Sequence, residues 1–128
     1  MPQAIVFDTD VMVDFLRGHP SAVALVKGCS GNIALSSIVI AELYAGIKGE
    51  KELAVLDDFV AICRIVPVTR ELARSGGMHK RDYAKSHNIG LADAIVAATA
   101  QAEEAELKTL NVKHYPMLPG LKPAYTKK

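Results

Sequence analysis

No apolar run in the chain approaches the roughly 20 residues that a helix needs to cross a bilayer, which argues against a helical membrane span. The N-terminus lacks a basic stretch followed by a cleavage site, and residues 4–7 already read as a strand, so no secretory leader is expected. Cysteine is scarce. Cys29 and Cys63 are the only two, both in apolar contexts without metal-ligand spacing, and they point to buried thiols in a reducing compartment rather than a disulfide. Histidine offers no zinc pattern either: His19, His79, His87 and His114 are scattered without an H-x-x-x-H pair, and each is expected as a surface or capping residue. Internal repeats and low-complexity tracts are missing. What remains is one soluble, cytoplasmic domain over 1–128, with a core at about 4–121 and a polar tail at 122–128.

The formal net charge of +1 conceals a segregation. Residues 91–106 carry four acidic side chains and no basic one, whereas residues 107–128 carry five basic and no acidic ones. The stretch 69–90 is also basic. These segments can track a phosphate backbone, although charge runs alone are more commonly solvated faces.

Ala4-Ile5-Val6-Phe7 is a continuous apolar run that stops at Asp8, as a parallel strand covered on both faces would. A short helix over 11–16 ends at Gly18, and a second covers 22–27. A strand follows at 33–35, then a helix over 38–47 capped from Ser36-Ser37, and a helix over 50–61. Residues 65–68 form a third strand, with Pro67 marking its end or a sheet edge. Thr69 caps a helix reaching about residue 87, in which Gly76-Gly77 allow a neighbour to approach closely. An Ala-rich helix spans 91–104, and a fourth strand spans 106–110. Strands separated by helices predict βαβ units and a mainly parallel sheet.

In such sheets ligands bind outside the carboxyl ends of the strands. Asp8, Ser36 and Asn111 directly follow the first, second and fourth strands and therefore share one rim. Glu42 lies in an apolar stretch, Ile38 to Ala45, near the start of its helix, where a buried glutamate would need a partner. Asp93 occupies the first turn of the Ala-rich helix, a position the helix dipole alone would favour. Asp10 and Asp14 read as turn or capping residues. Three carboxylates, Asp8, Glu42 and Asp93, repel one another unless a cation lies between them, and a hard ion such as Mg²⁺ or Mn²⁺ suits oxygen donors. Asp8 and Asp93 are the best direct ligands, and Glu42 can ligate through water or orient a nucleophile. Asn111 can hydrogen-bond a ligand, while Thr9 and Thr109 can fix these groups from behind. A site of this kind hydrolyses or transfers phosphate esters, the ion activating water and stabilising the leaving oxygen.

Four stretches carry a resemblance. They are Phe7-Asp8-Thr9-Asp10-Val11 with Asp14-Phe15-Leu16-Arg17-Gly18, residues 36–46 around Glu42, residues 90–100 around Asp93, and residues 107–116 around Asn111. Together, in this order, the chain resembles the PIN-domain family, and within it the VapC-type ribonuclease toxins of toxin–antitoxin pairs. The resemblance implies a three-layer α/β/α sandwich with a central parallel sheet and endonucleolytic cleavage of RNA dependent on Mg²⁺ or Mn²⁺. It further implies frequent homodimers, and a cognate antitoxin that wraps the toxin and intrudes on its site. The family's acidic positions fall on Asp8, Glu42 and Asp93, and its fourth, Asp or Asn, on Asn111. Relatives often place a glycine at the helix end, where this chain has Glu104-Ala105-Glu106. Val11, Met12, Phe15 and Leu16 exceed what a short helix needs for packing, which leaves a core face and a partner groove both open.

Three other readings compete: a PIN nuclease of RNA processing, an inactive binding module, and a haloacid-dehalogenase-like phosphatase suggested by Asp8-Thr9-Asp10. The last expects Thr or Val where Met12 stands, and an Asp at position 97, which is Ala.

Overall fold

The computed structural model describes residues 3–126. Among them strands and helices alternate as β1 Ile5–Phe7, α1 Thr9–Leu16, α2 Pro20–Gly28, β2 Ile33–Ser36, α3 Ser37–Ala45, α4 Gly49–Ile62, β3 Arg64–Val66, α5 Arg70–His87, α6 Leu91–Ala102 and β4 Glu106–Lys108. The four strands form one sheet in the order β3-β2-β1-β4, with every pairing parallel. Flanking helices complete the α/β/α sandwich. Central β1 is buried at every residue, which explains its unbroken apolar run. Val6 pairs with Ala34 on one side and Leu107 on the other, and all three are buried.

Strand ends are set by polar groups. At β3, Pro67 has no N–H to continue the ladder, and the next amide, Val68 N, donates to Ser37 Oγ at 3.1 Å. This strand is an edge, as Pro67 suggested. At β4 the expected run to residue 110 stops at Lys108, because the Leu110 amide donates to the Asp10 carboxylate at 3.0 Å. Ser36 Oγ accepts from Ile38 N at 3.2 Å and caps α3, and Thr69 Oγ1 accepts from Leu72 N at 3.1 Å and caps α5.

The first helix divides its apolar residues. Val11 and Met12 are fully buried in the core, while Phe15 and Leu16 are only partly covered. Cys29 and Cys63 are free thiols, half-buried rather than fully buried, and burial pushes both thiols up. The C-terminal segment extends the packed structure beyond residue 121: Ala124 N donates to Thr109 O at 2.9 Å, and the Tyr125 hydroxyl donates to buried Asp14 at 2.6 Å. The closing lysines of the expected polar tail, Lys127 and Lys128, lie outside the described residues. No helix among the described residues is long and apolar enough to cross a membrane.

α5 and α6 pack closely along their lengths, and Gly76 permits the approach. A Cβ there would lie 2.7 Å from Ile95 Cγ1 and 3.1 Å from Ile95 Cα, whereas one at Gly77 would meet nothing within 4 Å. Gly76→Ala is therefore expected to destabilise the protein by about 1–3 kcal/mol through overpacking. Gly77→Ala should stabilise it by up to about 1 kcal/mol through helix propensity. Urea titrations of the two variants check the opposite signs. α6 ends at Ala102, two residues short of expectation, because Glu104 adopts φ +52°, the left-handed region. Glu104→Gly should accordingly raise stability by about 1 kcal/mol in the same titration.

Candidate functional site

The sheet order places β2 on one side of β1 and β4 on the other, so a crevice opens between the carboxyl ends of β1 and β4. Asp8 leaves β1 into this crevice and starts α1, its Oδ1 accepting from Thr9 N at 2.8 Å. Only 4% of Asp8 is exposed. Its Oδ2 accepts from the Thr109 hydroxyl at 2.8 Å and from the Tyr115 hydroxyl at 2.7 Å. Tyr115, itself 1% exposed, also lies 3.3 Å from Asp93 Oδ1. Two carboxylates from a strand end and a helix start are thus joined through one phenol. The second oxygen of Asp93 lies 3.1 Å from His114 Nδ1.

Glu42 reaches the same rim by a different route. It is the sixth residue of α3, exposed rather than buried, and its Oε1 accepts from the Thr9 hydroxyl at 2.6 Å. Thr9 therefore links the Glu42 and Asp8 arms, its amide on one and its hydroxyl on the other. Among the described residues no three His, Cys, Asp or Glu side chains converge as a ready metal cage. Asp8 and Asp93 share a bridging hydroxyl, and Glu42 stands one residue away.

Asn111 turns elsewhere. Its Nδ2 donates to Asp10 Oδ2 at 3.1 Å, the oxygen that also accepts from Leu110 N. Asp10 lies in the first turn of α1, whose cap is Asp8; its Oδ1 accepts from Val11 N at 2.7 Å, and the turn or capping reading missed its long-range role. The expectation that histidines are peripheral fails at His114, which pairs with Asp93. Tyr115 was missed altogether. His114 and Tyr115 lie within the stretch 107–116, so their position was a usable signal, and a buried aromatic in a turn-rich segment was the other.

The electrostatics show charge held against resistance. Burial, and then the charge of Asp8, pushes the Asp10 carboxyl up to about 6. The same two causes raise Asp93, against a smaller lowering by His114. Burial, then Asp8 and Asp93, keep the Tyr115 hydroxyl protonated, so it serves as a donor. Negative charge is under-compensated at this rim, and the donors facing it are carboxylate and hydroxyl oxygens. That donor chemistry suits a hard divalent cation that keeps much of its water, which Asp8 and Asp93 would hold.

Beside Glu42 a groove of about 470 Å³ runs between α1, α3 and α4, lined by apolar Val13, Leu16, Leu43, Ile47 and Val55 and by charged Arg17, Lys48, Lys51 and Glu52. Of the residues for which a partner groove was left open, Leu16 faces it and the buried Val11 and Met12 do not.

Comparison with known proteins agrees with this architecture. The PIN domain profile matches residues 5–114. The chain is 43% identical over 122 residues to Ribonuclease VapC19 of Mycobacterium tuberculosis, covering 92% of this chain and 97% of that protein. It is 32% identical to Ribonuclease VapC2 of Rickettsia felis, over 89% of this chain and 91% of the relative. Among solved structures, VapBC2 from Rickettsia felis bound to a promoter DNA fragment contains a chain that superposes with a TM-score of 0.75 at 28% identity, covering 92% of this chain and 95% of that one. A toxin–antitoxin complex from Klebsiella pneumoniae gives 0.82 at 24% identity, over 95% and 98%, a likeness of fold.

The raised carboxyl of Asp10 has a consequence for stability. A folded-state value near 6 against 3.8 means that the native protein binds this proton more tightly than the unfolded chain does. Its contribution is full below about pH 4 and is lost as pH rises through about 6. With a chelator present, the melting temperature is expected to fall between about pH 5 and about pH 7.5, and Asp10→Asn should flatten that fall. An identical decline in the variant would assign the pH dependence to other groups.

Proposed function

The chain belongs to the PIN domain family, and from that premise we propose that it is a Mg²⁺- or Mn²⁺-dependent endoribonuclease acting as the toxin of a toxin–antitoxin pair. The observation that carries the reading is the pairing of Asp8 with Asp93 through the Tyr115 hydroxyl at the strand-end crevice. When bound, the cation supplies Lewis acidity toward a phosphodiester and makes water nucleophilic near neutral pH. Asp8 and Asp93 hold it. Thr109 and Tyr115 orient Asp8, and Thr9 aims Glu42 along the rim. Glu42, exposed, is the side chain able to receive a hydrogen bond from an attacking water. The PIN match over residues 5–114 leaves the phosphatase alternative without support.

The partner is an antitoxin, in keeping with the solved complexes that this fold matches. The groove lined by Val13, Leu16 and Leu43 suits an amphipathic segment, and because Glu42 edges it, a partner seated there reaches the catalytic rim. Exposed Ile62 on α4, at 82%, and Ile65 on the β3 edge leave apolar surface that a second copy would cover in a homodimer.

Purified chain is expected to cut RNA in Mg²⁺ or Mn²⁺ and to stop in EDTA. Asp8→Asn and Asp93→Asn should each lower kcat by at least about 100-fold, more than the loss typical of groups behind a ligand. Induced expression should arrest growth and produce discrete new RNA 5′ ends. Unimpaired cleavage by both variants would remove the paired aspartates from the reaction.

A further inference from the structure

Asp8 has more donors than a metal ligand needs. A carboxylate offers about four lone-pair positions, two on each oxygen. On Asp8 the Oδ2 atom accepts two hydroxyl hydrogens, from Thr109 at 2.8 Å and Tyr115 at 2.7 Å, and Oδ1 accepts one amide hydrogen, from Thr9 at 2.8 Å. One position is left, and it is on Oδ1. Each hydroxyl has a second acceptor farther away, Asp93 at 3.3 Å for Tyr115 and Asp10 at 3.4 Å for Thr109, so the shorter contacts hold the hydrogens on Asp8. Neither residue is free to turn outward: Tyr115 is 1% exposed and Thr109 is fully buried. Thr109 is held further because its oxygen accepts from Asn111 N at 3.1 Å.

We infer that Tyr115 and Thr109 restrict Asp8 to ligation through one oxygen, and that this selects a small six-coordinate cation over Ca²⁺. The inference rests on the nuclease reading and deepens it by naming positioning residues for the cation. Ca²⁺ takes six to eight oxygens, commonly with a bidentate carboxylate among them, whereas Mg²⁺ accepts single oxygens and retains water. Filling both positions of Oδ2 denies the bidentate mode. A purely structural phenol would support folding and leave the ratio of the two cation affinities unchanged.

The test is calorimetric titration of the full, metal-stripped chain with MgCl₂ and separately with CaCl₂. The unaltered chain is expected to bind Mg²⁺ at least as tightly as Ca²⁺, and the reverse order overturns the inference without any variant. Tyr115→Phe opens one position on Oδ2 and should shift the ratio toward Ca²⁺ by about fivefold, the equivalent of one hydrogen bond. Thr109→Val should move it in the same direction, and Thr109→Ser, which keeps the hydroxyl, should restore the original ratio. A shift of less than about twofold in the folded variants overturns the inference while leaving the nuclease reading intact. Failure of the unaltered chain to bind either cation overturns both.

Discussion

Mutual repulsion among carboxylates at the rim of a parallel sheet is the constraint around which the rest of the molecule is arranged. Two unit charges about 4 Å apart near a protein surface repel by about 4 kcal/mol, a large share of the net stability of a small domain. Asp8 and Asp10 are two residues apart in one turn, and Asp93 meets Asp8 through Tyr115. The chain offsets this with hydrogen-bond donors rather than cations. His114 beside Asp93 is the basic side chain that pairs with one of the three, and Asp93 remains raised in spite of it. Hydroxyls and amides orient negative charge without cancelling it, so the rim stays negative.

The donors that manage the rim also define the fold. Leu110 gives its amide to Asp10, and that donation ends β4. Thr9 gives its amide to Asp8, and that donation begins α1. Asn111 gives its amide to Thr109 Oγ1, which in turn faces Asp8. Ala124 then donates to the Thr109 carbonyl and draws the C-terminal segment across the end of β4. Site and scaffold are therefore one hydrogen-bond network, and a change at Thr109 acts on strand termination and on Asp8 together.

The elements were legible because their patterns were local. Apolar runs at residues 4–7 and 33–35, Pro67, Thr69 and Gly18 each report on a few neighbouring bonds, and the strands and most helix starts follow from them. Errors fell at ends decided across long separations. No local rule says that Leu110 will donate to a side chain a hundred residues earlier. The site divides in the same way. Asp8 and Asp93 were readable from strand-end and helix-start positions. Glu42 was readable as a site candidate, with burial and a reach to solvent both open in its apolar stretch, and the structure shows it exposed. Tyr115 was invisible because a tyrosine in a turn carries no signal until folding shows what its hydroxyl faces.

Asn111 is where sequence and structure are most instructive together. Read along the chain, the resemblance places a neutral amide at the family's fourth position, which is Asp or Asn. The structure supplies the local reason: its amide nitrogen faces Asp10 Oδ2 at 3.1 Å, on an oxygen that also accepts from Leu110 N. An aspartate at 111 would set oxygen against oxygen there, beside a carboxyl that burial and Asp8 already push up to about 6. The amide thus satisfies Asp10 and adds no charge to the crevice that Asp8 and Asp93 share.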